Sequence, residues 1–128
     1  MDHAALVRRF YEAWSANDVE GVLATVHPDI EFRPILGILY EREGFRGHAE
    51  MAEHVQDLHD RWDDFTAKVE LTREAAGGLI AFVCLTGSRD GRSFDAHIAV
   101  DVRFRDGLIV SFVGRDIYDT AEELGVEV

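Results

Sequence analysis

The order of residue patterns along the chain predicts an α+β fold in which helices line one curved antiparallel sheet. The first half carries apolar side chains at helical spacing, beginning with Leu6, Phe10 and Trp14. The second half alternates apolar and polar residues, which is typical of half-buried strands. Asp-Gly pairs at 90–91 and 106–107 predict tight hairpin turns between consecutive strands. Helices followed by a strand meander therefore predict a helix-lined cup.

Three helices are predicted in the first half. Residues 3–16 form the first, because apolar side chains recur there every four residues. Asn17 or Asp18 caps a second helix, which stops at His27-Pro28 because proline disfavours helix in the preceding residue. Another apolar stripe places the third helix at 48–62.

A short strand and a four-stranded meander complete the predicted sheet. The short strand covers 30–32, and the meander strands lie at about 65–72, 79–88, 93–105 and 108–118. Residues 34–47 read as a loop so rich in apolar side chains that we expect it to fold over part of the protein. Residues 119–125 predict a closing, capped helical turn.

Length and composition predict one soluble domain spanning residues 1–128. A chain of this size buries about two thirds of its unfolded surface in a single core. Its 47% apolar and 30% charged residues are ordinary for a globular protein. No apolar run approaches the roughly 20 residues of a spanning helix, and nothing resembles a secretion signal, so a cytoplasmic location is expected.

Charge and motif content exclude several kinds of partner. The net charge is −12 and Lys68 is the only lysine, whereas contacts to phosphate need clustered cations. We therefore expect neither nucleic acid nor an anionic membrane as a partner. The six histidines show no metal-ligand spacing, and the single cysteine, Cys84, cannot form an intramolecular disulfide. No glycine-rich phosphate loop or nucleophile elbow occurs either. We therefore predict neither a metal nor a cofactor.

Short segments spread over nearly the whole chain resemble a known family. These segments are 10–18, 27–32, 45–48, 105–109 and the closing tail. Together they resemble the nuclear transport factor 2-like superfamily, and within it the SnoaL-like branch of polyketide cyclases and ketosteroid isomerase relatives. The resemblance implies a cone-shaped, cystatin-like α+β barrel with an apolar cavity. It also implies a homodimer that pairs through the outer face of the sheet.

The resemblance argues against steroid isomerase activity. In those isomerases a tyrosine on the first helix, an aspartate on the short strand and a protonated aspartate on the penultimate strand carry the chemistry. The corresponding positions here are Phe10, the vicinity of Arg33, and Val100. Because none of these side chains supplies the catalytic group, we do not expect the isomerase reaction.

Two residues are the first candidates for acid/base chemistry. The polyketide cyclases of the branch use an aspartate on the last strand, and Asp116 is the nearest match. A carboxylate in an apolar cup is suited to take a proton next to a carbonyl, although Asp116 also fits a solvated strand end. His54 would orient a carbonyl or shuttle a proton from the third helix; alternatively, it is half exposed beside the apolar stripe.

His97 is a third catalytic candidate, because of the predicted strand register. Counting outward from the turn at 106–107 places His97 opposite Asp116, and the turn at 90–91 places Cys84 on its other side. This register puts His97 on the face opposite its strand's apolar positions, and one β-bulge would separate it from Asp116. An interface or surface ion pair is therefore the alternative for His97.

The predicted ligand-binding wall is largely apolar. It consists of Phe10, Trp14, Phe32, Tyr40, Met51, Val55, Leu58, Val100 and Phe112. Arg33 follows the short strand and would clamp a carboxylate or enolate in a bidentate manner, or else lie at the cavity mouth in water.

Three functions stay open at this point. The first is a cofactor-independent cyclase, isomerase or hydrolase that uses acid/base chemistry on an apolar small molecule. An epoxide hydrolase is a variant of it, and the nearest residues to that family's Asp-Arg-Asp set are Asp101, Arg103 and Asp116. The second is a noncatalytic protein that binds an apolar ligand. The third is an assembly module that dimerises through the outer sheet face, with contacts from Ile80, Phe82 and Val110.

Overall fold

The computed structural model describes residues 2–33 and 44–127, and these ranges contain four helices and six strands. The helices are α1 (His3–Ser15), α2 (Val19–Thr25), α3 (Gly47–Arg61) and α4 (Ile117–Leu124). The strands are β1 (Val26–Arg33), β2 (Phe45–Arg46), β3 (Asp63–Ala75), β4 (Gly78–Arg89), β5 (Arg92–Arg105) and β6 (Leu108–Arg115). The predicted α+β class is confirmed. In the described ranges, no helix is long and apolar enough to cross a membrane.

All six strands belong to one open sheet with the order β2-β1-β6-β5-β4-β3. The predicted antiparallel meander is β3 to β6, and both Asp-Gly turns have positive φ at each central residue. Two features were not predicted. One is that β1 runs parallel to β6. No turn joins these two distant segments, so the sequence pattern does not indicate their relative direction. β2 has only two residues, which is too short for a periodic pattern.

Several element ends differ from the predicted ones. α2 is capped by Asp18 but ends at Thr25, because Val26 is already extended and its buried side chain begins β1. β6 ends at Arg115, three residues earlier than predicted. The closing turn is instead a full helix, α4. Gly125 caps its C-terminus in the left-handed conformation, with φ 69°.

The strand register confirms one predicted pair and corrects another. Cys84 lies opposite His97, as predicted. The predicted pairing of His97 with Asp116 is wrong, because a β-bulge beside Phe104 shifts the register of β5 and β6 by one residue. β6 also ends at Arg115, so Asp116 lies beyond the strand.

The sheet buries apolar side chains on both of its faces. The interior face packs against α1, α2 and α3 and carries the main core. The outer face carries a smaller cluster under α4, in which Ala121 packs with Ile80, Phe82 and Ala99. The prediction that Ile80 and Phe82 contact a second copy needs correction, because α4 of the same chain covers them and leaves them 2% and 4% exposed. Val110 is half-buried.

Candidate functional site: a buried aromatic interior

α1 supplies three buried aromatic side chains to the interior. Asp2 caps this helix by accepting a hydrogen bond from the backbone N–H of Ala5 at 3.0 Å. Spacing of four places Phe10 and Trp14 on one face, and Tyr11 lies beside them. All three are at most 2% exposed. α1 therefore brings a tyrosine and a tryptophan, each with a polar atom, into the buried core.

The sheet and α3 close the aromatic cluster around α1. The ring centroid of Phe112 in β6 lies 4.6 Å from that of Phe10, and Phe32 in β1 lies 5.4 Å from Phe112. Phe65 in β3 lies 5.6 Å from Trp14. Separations of this size are those of interacting aromatic pairs. The rings thus form one packed apolar cluster.

His54 of α3 is buried in the same cluster. It is 2% exposed, so the half-exposed alternative is wrong. Its ring centroid lies 4.2 Å from Phe45, 5.1 Å from Phe32 and 5.6 Å from Trp14. A neutral imidazole carries one donor and one acceptor nitrogen. His54 therefore places a polar ring inside the aromatic interior.

Two polar atoms in the interior have no hydrogen-bond partner within the described part of the chain: the hydroxyl oxygen of Tyr11 and Nε1 of Trp14. Buried polar groups are nearly always hydrogen-bonded, and an unmet one costs about 1–3 kcal/mol. Burial raises the pKa of Tyr11 above its ordinary value of about 10, so the hydroxyl keeps its proton at neutral pH. The interior therefore holds two donors for an acceptor that the described residues do not supply.

Most of the predicted ligand-binding residues lie together. The members of the predicted wall found in the main buried core are Phe10, Trp14, Phe32, Met51, Val55, Leu58, Val100 and Phe112. Tyr40 lies outside the described residues. Arg33 does not join them, because its side chain is 60% exposed at the end of β1 and lies 3.6 Å from the Glu31 carboxylate.

The other two catalytic candidates lie outside the interior. Asp116 is exposed and caps α4, accepting a hydrogen bond from the backbone N–H of Asp119 at 2.9 Å. His97 lies on the outer face with its side chain 53% exposed, close to the carboxylates of Glu70 and Asp95. The structure therefore brings His54, but neither Asp116 nor His97, to the aromatic interior.

The residues suggested for epoxide hydrolysis also lie away from the interior. The Arg103 guanidinium donates to both carboxylate oxygens of Asp101, at 2.7 and 3.0 Å, on the outer face of β5. Arg115 lies 3.8 Å from the same carboxylate. This pairing engages Asp101 and Arg103 with each other, while Asp116 caps α4.

The hydroxyl of Tyr11 was not among the predicted site groups. The available signal was a tyrosine three residues before Trp14, inside a stripe that otherwise predicts complete burial. A buried tyrosine or tryptophan brings a polar atom that needs a partner. Tyr11 also directly follows Phe10, the position at which the isomerase resemblance expects a tyrosine.

The outer face holds a polar cluster, of which the predicted strand register indicated only the Cys84–His97 pair. Ligand atoms of Glu70, Cys84 and His97 all lie within 4.8 Å of one another. Burial, together with a hydrogen bond to Asp95 and the negative charge of that residue, raises the pKa of the Cys84 thiol to about 11. Glu70 lies in a third strand, which the predicted register did not include.

Solved structures place the chain in the class of nuclear transport factor 2-like folds. TerC, co-crystallised with polyporic acid, is 18% identical with a TM-score of 0.77, covering 95% of this chain and 96% of that one. A nuclear transport factor 2-like protein from Burkholderia pseudomallei is 21% identical with a TM-score of 0.77, covering 95% and 97%. RV0760c from Mycobacterium tuberculosis, in complex with estradiol-17beta-hemisuccinate, is 20% identical with a TM-score of 0.75, covering 91% and 95%.

The sequence comparison defines the family within that class. Residues 7–112 match the SnoaL-like domain, which is most of the chain. The chain belongs to the SnoaL-like domain family. A search of curated proteins found no significant match.

Proposed function

We propose that the protein binds an apolar small molecule carrying a hydrogen-bond acceptor, within the aromatic interior between α1, α3 and the sheet. The observation that carries this proposal is the pair of buried donors, Tyr11 O–H and Trp14 Nε1–H, with no acceptor among the described residues. A carbonyl or phenolate oxygen of the ligand would accept from them. Binding would thereby supply the acceptor that these two donors lack among the described residues and remove their desolvation cost.

The surrounding side chains favour a flat, largely apolar ligand. Rings of Phe10, Trp14, Phe32 and Phe112 line the region, and such rings contact planar molecules through stacking and edge contacts. Two structures with the same fold hold small molecules, polyporic acid in TerC and an estradiol derivative in RV0760c. These two compounds are therefore suitable first probes, followed by a panel of aromatic ketones.

Calorimetric titration of Tyr11→Phe against the wild type tests the proposal. Removing only the hydroxyl should weaken binding of an acceptor-bearing probe by about 5–10-fold, because one hydrogen bond contributes about 1 kcal/mol. The matched control is Tyr118→Phe on α4, where the tyrosine is 72% exposed and binding should not change. Equal affinities of Tyr11→Phe and wild type for every bound probe would reject the proposed site, as would a panel in which no compound binds.

Acid/base catalysis on the bound molecule is a second candidate, favoured by the buried imidazole of His54. His54 would remove a proton from the carbon next to a ligand carbonyl, and the electron pair of that C–H bond would move toward the carbonyl oxygen. Tyr11 and Trp14 would stabilise the resulting enolate oxygen, and the imidazolium would return the proton. Asp116 has no part in this step, because its carboxylate caps α4 on the outside.

Hydrogen–deuterium exchange separates this enzyme from a noncatalytic binder. In D2O, the wild type should accelerate exchange at the carbon next to the carbonyl of a bound cyclic ketone, followed by NMR. His54→Gln should retain binding and lose the acceleration. If the wild-type protein does not accelerate the exchange, the catalytic candidate is rejected and noncatalytic binding of an apolar ligand is retained.

A homodimer through the outer sheet face and a cytoplasmic location both stay predictions. α4 occupies the part of that face formed by Ile80 and Phe82. A dimer would therefore use what α4 leaves accessible, including Val113 at 38% exposure on β6 and Tyr118 on α4 itself. Sedimentation equilibrium of the purified protein determines whether a dimer exists.

A further inference from the structure

A cluster of metal-ligating side chains lies on the outer face of the sheet, away from the aromatic interior. Cys84 in β4 and His97 in β5 are directly opposite each other, so their side chains share a face. Glu70 in β3 lies at the register shift between Val69 and Leu71, and its carboxylate reaches His97 across β4. Three strands thus bring one sulfur, one nitrogen and one carboxylate oxygen within 4.8 Å of one another.

Asp95 lies beside the imidazole within this cluster. Nδ1 of His97 lies 3.0 Å from Oε1 of Glu70, and Nε2 lies 3.3 Å from Oδ1 of Asp95. The thiol of Cys84 also donates to Oδ1 of Asp95, at 3.3 Å. Histidines that ligate metals commonly donate their second ring N–H to a carboxylate, which sets the tautomer and the ring orientation. Asp95 lies within ion-pair distance of Nε2 of His97, where a carboxylate can take this part when Nδ1 binds a metal.

The cluster is accessible through a cleft between the outer face and the C-terminal segment. This cleft has a volume of about 540 Å³, and Glu70, Asp95 and His97 are among its lining residues. Phe82 and Tyr118 form part of its apolar wall. A cation bound by the cluster would therefore have room on its open side for water or a small ligand.

The donor set identifies the class of cation. A combination of thiolate, imidazole and carboxylate suits Zn²⁺ and similar borderline ions, whereas Mg²⁺ and Ca²⁺ prefer oxygen ligands alone. Tetrahedral coordination at zinc bond lengths separates ligand atoms by about 3.3–3.6 Å, so the present cluster must contract by about 1 Å. Glu70 and His97 are exposed side chains that can make this adjustment by rotation.

We propose that Glu70, Cys84 and His97 bind one divalent cation of the zinc class, with Asp95 as the positioning residue for His97. Binding leaves one coordination position open toward the cleft. The site lies on the opposite face of the sheet from the interior and does not depend on the proposed function there.

Titration with Co²⁺ tests the site, with Zn²⁺ displacement as confirmation. Because Cys84 is the only cysteine, a thiolate-to-cobalt charge-transfer band can come from no other residue. The expected result is one Co²⁺ per chain with this band, and loss of the band on adding Zn²⁺. Cys84→Ser should abolish the band. The proposal would be overturned if the wild-type protein shows no such band, or if it binds one Co²⁺ per two chains.

Further variants separate coordination from a general loss of structure. Glu70→Gln and His97→Gln should each weaken Co²⁺ binding by about tenfold or more, and Asp95→Asn by about 10–100-fold. His27→Gln is the matched control, because His27 lies between the carboxylates of Asp29 and Asp106 outside the cluster and its loss should not change the affinity. Unchanged binding in both Glu70→Gln and His97→Gln would show that they are not ligands.

A variant predicted to bind more tightly provides an opposite test. Lys68 lies directly across from Cys84 in β3, and its positive charge opposes a nearby cation. Lys68→Gln should therefore strengthen Co²⁺ binding by a few-fold. A weaker affinity in Lys68→Gln would contradict the proposed position of the ion.

Discussion

At Tyr11, a hydroxyl group lies among rings without an acceptor from the described residues. Removing such a group while keeping the ring eliminates a desolvation cost and leaves the packing intact. In the absence of ligand, Tyr11→Phe should therefore raise the free energy of unfolding by about 1 kcal/mol, measured by urea denaturation. A decrease of 1 kcal/mol or more would show that the hydroxyl stabilises the protein through a partner.

The same hydroxyl makes the fold sensitive to alkaline pH. Burial raises the Tyr11 pKa, so above about pH 10 the unfolded chain releases this proton while the folded protein retains it. The native state then binds more protons than the unfolded state, and stability falls as the pH rises. Between pH 9 and 11, Tyr11→Phe should lose less free energy of unfolding than wild type. Equal losses in the two proteins would contradict burial of a protonated Tyr11.

Residue types and spacing predicted which aromatic and aliphatic side chains are buried, but not the chemistry among them. Periodicity identifies Phe10, Met51 and Phe112 as buried, because burial of a helix or strand face follows directly from a repeating pattern. The same pattern cannot tell whether the hydroxyl of Tyr11 finds a partner, because that depends on atoms from distant segments. Asp116 was chosen by its position near the last strand alone, and its location at a helix cap follows from where β6 ends.

At the scale of elements, Asp116 stabilises α4 as its N-cap. Asp116→Ala should lower the free energy of unfolding by about 1 kcal/mol, because the backbone N–H of Asp119 loses its acceptor. Asp116→Asn should be nearly neutral, since asparagine caps a helix about as well as aspartate. Thermal denaturation of the two variants checks this difference. A larger loss in Asp116→Asn than in Asp116→Ala would contradict the capping role.

The strand register shows how far local rules extend. A two-residue turn fixes the pairs next to it, which is why Cys84 opposite His97 was predicted correctly. The β-bulge beside Phe104 shifts the pairing of β5 with β6, so counting residues outward from the turn gives the wrong partners beyond it. The residue types at this point do not indicate a bulge. The closing helical turn was likewise predicted, but the packing of α4 on Ile80 and Phe82 depends on which sheet face remains uncovered.

At the scale of the whole molecule, α4 keeps apolar surface of the outer face from water. Ala121 is 2% exposed and packs within the cluster of Ile80, Phe82 and Ala99. Ala121→Asp would bury an unpaired charge and should cost about 3 kcal/mol or more, releasing α4 and exposing this surface. We expect increased self-association by light scattering, with Glu122→Asp at an exposed position as the control. A monodisperse, fully stable Ala121→Asp protein would contradict this role of α4.

The chain's architecture was predictable because helical spacing, strand alternation and Asp-Gly turns all indicate the same fold. The faces of the sheet were not predictable in the same way. His54 and His97 are both histidines in amphipathic elements, yet one is buried among rings and the other lies on the outer face with Glu70. Their surroundings come from segments far away in the sequence, and no local pattern contains that information.

The measurement that tests the proposed interior binding site most directly is the ¹H–¹⁵N NMR signal of the Trp14 indole. The chain has two tryptophans, Trp14 and Trp62, so Trp14→Phe assigns both indole signals, and the ring that Trp62 contacts is that of Phe94. Saturation with a bound acceptor-bearing probe, such as estradiol-17beta-hemisuccinate, should shift the Trp14 indole proton downfield and leave that of Trp62 in place. A bound probe that leaves the Trp14 signal unchanged, or moves only the Trp62 signal, would contradict the site.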